Sequence, residues 1–328
     1  MLVLALWTLT LLGLFSLSLG LGVRQKAALL SRLSTLDALY PIAYSGLDRA
    51  RSLVRADPDK DVDNLLDEWA SSAPPVREAT VSGGKFSLET DTVSAVVDEE
   101  RKVNLNKTTV GIVARLLERV SGLGKEKADE LAYCLLDWMD SDSFFGHPQY
   151  GAEASYYEDL PKPYTAKDKP YEAFDELLLV KGMTSEIFEK IRPYVTVYGS
   201  GQVNINTAGS EVLAALGFSD LGIDTIVKYR AGEDGREGTA DDRFFKNLDS
   251  VAEDLDKIGG KPLDGSQLVK LAGLITESRI SVNSSVFSVM SRGTLERNGA
   301  MMDAEAVFKR EGQVLYQHVG EARWPARS

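Results

Sequence analysis

From Leu2 to Val23 the chain carries no charged side chain. As a helix rising about 1.5 Å per residue, this run spans roughly 33 Å, one bilayer core. It is longer than the apolar stretch of a cleaved signal peptide. Thr8, Thr10, Ser16 and Ser18 inside it can return their hydroxyls to helix carbonyls. The helical pattern continues beyond Val23, with Ala27, Leu30, Leu33 and Leu36 at three-residue steps. Pro41 is expected to kink or interrupt it, because proline has no N–H to donate. Ile42 to Arg55 resumes the helix before the break at Asp57-Pro58-Asp59.

Past the punctuation of Ser71-Ser72-Ala73-Pro74-Pro75 and Ser82-Gly83-Gly84, the period shortens to two. Phe86 to Thr90 and Val93 to Val97 read as strands. Near the C-terminus, Arg279 to Arg292 alternates through Ile280, Val282, Val286, Phe287 and Val289. Met302 to Arg310 and Gln313 to His318 complete a meander. Its turns are expected at Arg292-Gly293, Asn298-Gly299 and Glu311-Gly312. Strands before and after a helical block imply one sheet interrupted by a helical insertion, with the segments at 86–105 pairing with the late strands.

The block between repeats itself. Val103-Asn104-Leu105-Asn106 recurs as Val203-Asn204-Ile205-Asn206, each time ahead of a helical pattern. Asn106 or Thr108, and Asn206 or Thr207, are the expected N-caps. At a shorter offset, Val120-Ser121-Gly122-Leu123-Gly124-Lys125-Glu126 matches Val180-Lys181-Gly182-Met183-Thr184-Ser185-Glu186. A looser third copy runs through Leu213, Leu216, Gly217, Gly222, Ile226 and Tyr229. A helix that ends at a glycine and restarts at once needs positive φ at that glycine. The three copies read as helix-hairpin-helix units.

Charge and composition narrow the function. The formal net charge is −12, which opposes binding driven by phosphate contacts. Lys125 and Lys127 in the first glycine turn would suit phosphate, but the third copy carries Asp220 and Asp224 in the matching stretch. No nucleic-acid partner is expected. The single cysteine, Cys134, lies in an apolar helical run and reads as a packed side chain rather than a reactive thiol. With two histidines, no Gly-x-Ser-x-Gly, no P-loop and no zinc spacing, the chain is not expected to be an enzyme. Trp138, Phe144 and Phe145 read as core contacts.

Two loops concentrate oxygen ligands. The first holds Asp137, Asp140 and Asp142, followed by Glu153. The second holds Asp234, Asp241 and Asp242. Carboxylates and carbonyls converging in irregular loops suit calcium, which takes six to eight oxygens. Neither loop has EF-hand spacing, and a plain solvated acidic loop is the alternative reading.

A family resemblance rests on an ordered set of segments: Leu135 to Asp142, Gly151-Ala152-Glu153, Tyr156-Tyr157, Phe174 to Met183, Pro193 to Tyr198, and Val203-Asn204-Ile205-Asn206-Thr207-Ala208. In that order they resemble the K-type minor pseudopilins of type II secretion systems. The resemblance implies an α+β fold: a long N-terminal membrane helix and a pilin-like antiparallel sheet carrying a large inserted α-domain of helix-hairpin-helix (SAM-like) units. On that reading, residues 1–56 form the membrane and amphipathic helix. Residues 57–104 begin the pilin-like domain, 105–275 make the insertion, and 276–328 complete the sheet.

The resemblance also implies structural calcium at the insertion, which adds weight to Asp140, Asp142 and Glu153. The family pattern favours an acidic residue after Glu153, where this chain has Ala154. It implies a single-pass anchor in inner-membrane lipid with the soluble part in the periplasm. Arg24 and Lys26, with no basic residue ahead of the apolar run, would by charge alone favour the reverse orientation. The chain begins inside the apolar run, as if a leader preceded it. The partners implied are the I-type and J-type minor pseudopilins and the major pseudopilin, in a tip complex that starts pseudopilus assembly for protein export. Most pilins carry a glutamate at the fifth mature position, which K-type subunits lack; the fifth residue here is Ala5. The competing reading is a membrane-anchored helix-hairpin-helix protein that binds DNA for uptake.

Overall fold

The computed structural model describes residues 2–71, 73–81, 83–89, 96–140, 147, 149–152, 154–257 and 263–321. Helix α1 (Leu2–Ala56) is one element of 55 residues. Its large apolar side chains from Leu2 to Leu33 are exposed, and it is long and apolar enough to cross a membrane. The Thr8 and Thr10 hydroxyls donate back to the Ala5 and Trp7 carbonyls, each at 2.9 Å. From Leu39 onward the helix becomes one-sided. Leu39, Ile42, Ala43, Gly46, Leu47, Ala50, Leu53 and Val54 are buried, a stripe of three- and four-residue steps. Pro41 lies inside α1 and does not interrupt it, so of the two expected outcomes the break does not occur. A helical proline costs about 3 kcal/mol, and burying Leu39 and Ile42 beside it returns about 1.5–3 kcal/mol each.

After a 3-10 turn at Glu68–Ala70 come α2 (Pro74–Arg77), β1 (Glu78–Val81), β2 (Gly84–Glu89), β3 (Val97–Asp98) and β4 (Val103–Asn104). The helical block holds α3 (Val110–Ser121), α4 (Lys125–Asp137), α5 (Ala154–Glu158) and a 3-10 turn at Phe174–Leu179. It continues with α6 (Ser185–Ile191), β5 (Val195–Thr196), β6 (Val203–Asn204), α7 (Ser210–Leu216), α8 (Asp220–Arg230), α9 (Val251–Asp256) and α10 (Gly265–Thr276). The chain closes with β7 (Ile280–Ser281), β8 (Val286–Leu295), β9 (Met301–Lys309) and β10 (Val314–Glu321).

The main sheet is antiparallel in the order β1-β2-β8-β9-β10, with β3 also on β8. Early and late segments therefore pair: Gly84 lies opposite Leu295, and Val97 opposite Ser288. The expected strand from Val93 lies mostly outside the described residues. Two expectations need correction. Val103-Asn104 does not join this sheet but pairs in parallel with Val195-Thr196 inside the helical block. The late segment from Arg279 is two strands, because residues 282–284 bend to meet Asp63. The Asp63 amide donates to the Val282 carbonyl at 2.9 Å, and the Ser284 amide donates to the Asp63 carboxylate at 2.6 Å.

Arg292-Gly293 is not a turn either; both sit inside β8. Arg292 forms a buried two-point pair with Asp303 across the β8–β9 ladder, at 2.8 and 3.0 Å. Gly293 lies where α1 crosses the sheet. A Cβ there would stand 2.7 Å from the Ala43 backbone nitrogen. The turns at Gly299 and Gly312 form as expected, both with positive φ.

Buried apolar residues fall into two clusters. One joins the second half of α1 to the sheet through Leu47, Leu53, Trp69, Phe86, Leu88, Phe287 and Phe308. The other lies wholly within Val103–Ile280, around Leu116, Leu135, Trp138, Tyr157, Leu213 and Phe245.

Gly293→Ala is expected to lower stability by about 1–3 kcal/mol, because neither backbone can yield without strain. Chemical denaturation of the full chain in detergent measures it. An unchanged midpoint would mean that α1 does not approach β8 as described.

Candidate functional site

The two Val-Asn-x-Asn segments do the same work in the fold. Val103 pairs in parallel with Val195, and Val203 pairs in parallel with Ile280. In each, the first asparagine closes a local turn: Asn104 Oδ1 accepts from the Asn106 amide at 2.9 Å, and Asn204 Oδ1 from the Asn206 amide at 3.0 Å. The second asparagine grips a distant backbone. Asn106 accepts from the Tyr171 amide at 2.8 Å and donates to its carbonyl at 2.9 Å. Asn206 does the same to Phe245, at 2.8 and 3.0 Å. Asn106 and Asn206, expected as N-caps, do not cap α3 and α7, whose N-caps are Thr109 and Gly209, neither with a side-chain cap bond; Asn104 instead caps the 3-10 turn at Leu105–Lys107.

Each acidic loop runs from the end of a helix to the aromatic residue so gripped. The first leaves α4 and returns at Tyr171; the second leaves α8 and returns at Phe245. The helices ahead of them join through left-handed glycines, Gly122 at φ 80° and Gly217 at φ 100°. Gly182, ahead of α6, has φ 83°.

In the first loop, Asp137 is the last residue of α4 and is buried; its carboxylate accepts from the Ala152 amide at 3.2 Å. The Asp140 amide donates to the Leu136 carbonyl in the turn that follows. Asp142, Glu153, Phe144 and Phe145 lie outside the described residues. Trp138 is buried, with its ring edge-on to Tyr157 at 4.9 Å. Cys134 is buried, and burial pushes its thiol up to about 11, which leaves little thiolate for chemistry at neutral pH.

The second loop is organised around Asp241. One oxygen accepts from the Glu233 and Asp234 amides at 2.6 and 2.9 Å, and the other from the Thr239 hydroxyl at 2.8 Å. Amide donors hold its carboxyl down to about 2. Asp242 accepts from the Gly238 amide at 2.6 Å and from the Thr239 hydroxyl at 3.3 Å. Burial pushes its carboxyl up from the ordinary value. Asp234 accepts from the Arg236 amide at 2.8 Å. The single Thr239 hydroxyl proton lies nearest Asp241, with Asp242 close beside it, and Asp234 is bonded to Asp241 through its own amide. The buried Arg230 ties the loop down: it pairs with Glu237 and donates to the Ile205 and Ala208 carbonyls at 2.9 and 2.7 Å. All the donors on offer are oxygens, the hard set that calcium takes.

Sequence reading missed a tighter group. Asp57, Asp63 and Asp67 bring ligand atoms within 4.8 Å of one another. The Arg310 guanidinium meets their charge, bonding to Asp57 at 3.0 Å and to Asp63. The aspartates of 57–63 are visible in the sequence as a helix break, but their partner lies in the turn after β9.

Asn206→Ala is expected to cost about 2–4 kcal/mol, since it leaves the buried amide and carbonyl of Phe245 unpaired. Hydrogen exchange would lose protection at Phe245 first; protection unchanged there would contradict the grip. Asp241 is depressed in the folded state, so its stabilising effect is present above the ordinary carboxylate value and lost as pH falls through about 2. The Glu233 and Asp234 amide resonances should follow that titration. A midpoint near the ordinary value of 3.8 would show that the amides do not bond to Asp241.

Comparison with known proteins bears on the same segments. Residues 89–200 match the family model described as type II secretion system (T2SS), protein K. A protein of Pseudomonas aeruginosa named type II secretion system protein K is 28% identical over 258 residues, covering 74% of this chain and 72% of that one. A protein of the same name from Aeromonas hydrophila is 35% identical over 103 residues, 30% of this chain and 31% of the relative, so that alignment spans under a third of its length. A solved structure, titled the crystal structure of the GspK-GspI-GspJ complex from the enterotoxigenic Escherichia coli type 2 secretion system, shares the fold. Its TM-score is 0.67 at 21% identity, over 89% of this chain and 99% of the matched one. The resemblance to the K-type minor pseudopilins of type II secretion systems is borne out.

Proposed function

We propose that this chain is a minor pseudopilin at the tip of the type II secretion pseudopilus, where it starts assembly with other minor pseudopilins for protein export across the outer membrane. The observation that carries this reading is the construction of α1. One continuous helix offers an apolar, exposed first half to the inner membrane and fastens its second half to an antiparallel sheet. A subunit so built can leave the bilayer by its helix and stack in a filament while its sheet and insertion stay in the periplasm. Its partners are then the I-type and J-type minor pseudopilins, beside the major pseudopilin and membrane lipid. The similarity to a solved complex whose title joins GspK with GspI and GspJ supports that choice.

The chain acts by assembly, not by catalysis. Calcium is the structural cofactor of this reading, with Asp137, Asp140, Asp142 and Glu153 for the first loop and Asp234, Asp241 and Asp242 for the second. In the second loop Asp234, Asp241 and Asp242 each already accept from a loop amide, so the oxygens to offer are their remaining lone pairs and the loop carbonyls. The three helix–glycine–helix units serve as helix-hairpin-helix packing modules rather than as a DNA surface. Arg119, at the end of α3, pairs with Glu211 and lies 3.4 Å from Asp220, so acidic groups of the third unit face the first glycine turn.

The test is reconstitution of the full chain in detergent with the I-type and J-type subunits of the same cell, in calcium and in chelator, read by size exclusion with light scattering. A stoichiometric ternary complex is expected, with a lower melting temperature in chelator. A folded chain that forms no complex in either condition would overturn the tip reading, and salt-dependent DNA binding by that chain would replace it with DNA uptake. Equal melting temperatures in calcium and chelator would remove calcium.

A further inference from the structure

Past Val23, where the uncharged run reaches the length of a bilayer core, α1 continues as a bare neck. No residue of it packs into the core of the sheet before Leu36. The neck is amphipathic. Leu29, Leu30 and Leu33 share one side, at one- and four-residue spacing, and are exposed at 57, 65 and 47%. Arg24 and Arg32, about two turns apart, project away from those leucines, with Ser31 and Thr35 between and beside them. Lys26 stands at the membrane end of the leucine side. All three cations are exposed. Arg24 and Lys26 make no ion pair among the described residues.

Charge is sorted along the chain. Residues 1–36 hold Arg24, Lys26 and Arg32 and no carboxylate; the first carboxylate is Asp37. A charge of +3 there and −12 overall leaves −15 on residues 37–328. The neck is thus a basic segment on an acidic molecule, and its complement is an anion. Length indicates which anion. The exposed apolar run from Leu2 to Leu33 is about 48 Å long as a helix, against a bilayer core of roughly 30 Å. In an upright subunit about 18 Å of apolar helix would stand clear of the core. A tilt of about 40°, the upper end of what spanning helices adopt, lowers Leu33 to roughly 37 Å above the far edge of the core, the level of the headgroups.

We propose that the neck, residues 24–36, binds anionic phospholipid: Arg24, Lys26 and Arg32 hold headgroup phosphates, while Leu29, Leu30 and Leu33 settle into the acyl boundary beneath. The inference rests on the reading of α1 as a membrane anchor and not on the partners named for the subunit. Arginine and lysine stems cover apolar surface while their heads reach the phosphates, and a guanidinium can grip two phosphate oxygens at once. A phosphatidylglycerol headgroup keeps its net negative charge, whereas phosphatidylcholine carries a cation of its own, so the first is preferred. Each cation near an anionic surface strengthens binding about fivefold, and three together about a hundredfold. Salt screens the effect. Because α1 is one helix to Ala56 and the sheet is fastened to its second half, a neck drawn down by anionic lipid tilts the whole soluble part with it.

The test uses the full chain alone, so its outcome does not depend on whether a ternary complex forms. In detergent with equal phosphatidylglycerol and phosphatidylcholine, native mass spectrometry is expected to find the first retained about tenfold or more over the second. The triple variant Arg24→Gln/Lys26→Gln/Arg32→Gln should retain the two alike, and Arg24→Lys/Arg32→Lys should keep the preference. Should the triple variant not fold, raising salt on the parent from about 0.05 to 0.5 M should close the gap. A spin label at Leu33→Cys, in a Cys134→Ala background, should be shielded from a water-soluble nickel complex in lipid discs containing phosphatidylglycerol and open to it in discs of phosphatidylcholine alone. A control label at Lys246→Cys, exposed on the insertion, should be open in both. Equal retention of the two lipids by the parent would overturn the proposal, as would a preference unmoved by the triple variant or by salt. A Leu33 label equally accessible in both discs would also overturn it; shielding of that label only once the I-type and J-type subunits are added would give the leucine side to a neighbouring helix instead.

Discussion

The structure depends on how closely the second half of α1 lies against the sheet. Leu39, Ile42, Leu47, Leu53 and Val54 bury on strands that the chain supplies in two instalments, β1 to β3 early and β8 to β10 late. Close approach is possible because the crossing points lack side chains. Gly293 faces the backbone of Ala43, and at Gly46 an added carbon would run into Ser291 and Leu88. With backbones at contact distance, the sheet can neither slide nor roll on the helix, since packed surfaces shift only between discrete arrangements. The orientation of the sheet relative to the membrane-length half of the helix follows from that crossing.

The insertion is joined to this frame by different physics. Its own core is apolar and self-contained, so nothing greasy needs to cross between the two parts. What crosses is polar: Asp63, Asp98 and Glu100 on one side, Asn204, Thr207 and Ser200 on the other. Buried carboxylates satisfied by hydroxyls and amides define one geometry closely, because any displacement leaves a desolvated charge without its donors.

Much of this was legible in the sequence, for identifiable reasons. The membrane-length run, the late strands and the glycine turns are local signals, carried by hydrophobic period and by positive-φ demand. The Val-Asn-x-Asn repeat was visible, but its work was not. Asn106 and Asn206 stand where a cap would stand, and only the fold shows that Tyr171 and Phe245 come back to meet them. Pro41 does not break α1, because burial of Leu39 and Ile42 on either side of it holds the helix together. Arg292-Gly293 reads as a turn by composition, yet serves as a buried ion pair and a crossing point. The second acidic loop was located correctly as a loop, whereas Asp137 of the first closes α4, and Asp142 and Glu153 lie outside the described residues. The tight carboxylate group at Asp57, Asp63 and Asp67 was invisible because Arg310, which makes it tolerable, is remote in sequence.

The parallel pairs β4–β5 and β6–β7 have a wider consequence. Each laces the start of a repeat to its finish, so the backbone enters and leaves each unit at one spot. The sheet therefore meets the insertion at short staples and a few polar contacts, whatever lies beyond them. Closing a longer excursion costs little more than closing a short one, because the entropy of closure grows only with the logarithm of length. The helical part is in this sense a payload on a fixed mount. Its loops are free to lengthen, shrink or change chemistry over evolutionary time without disturbing how the sheet sits on α1.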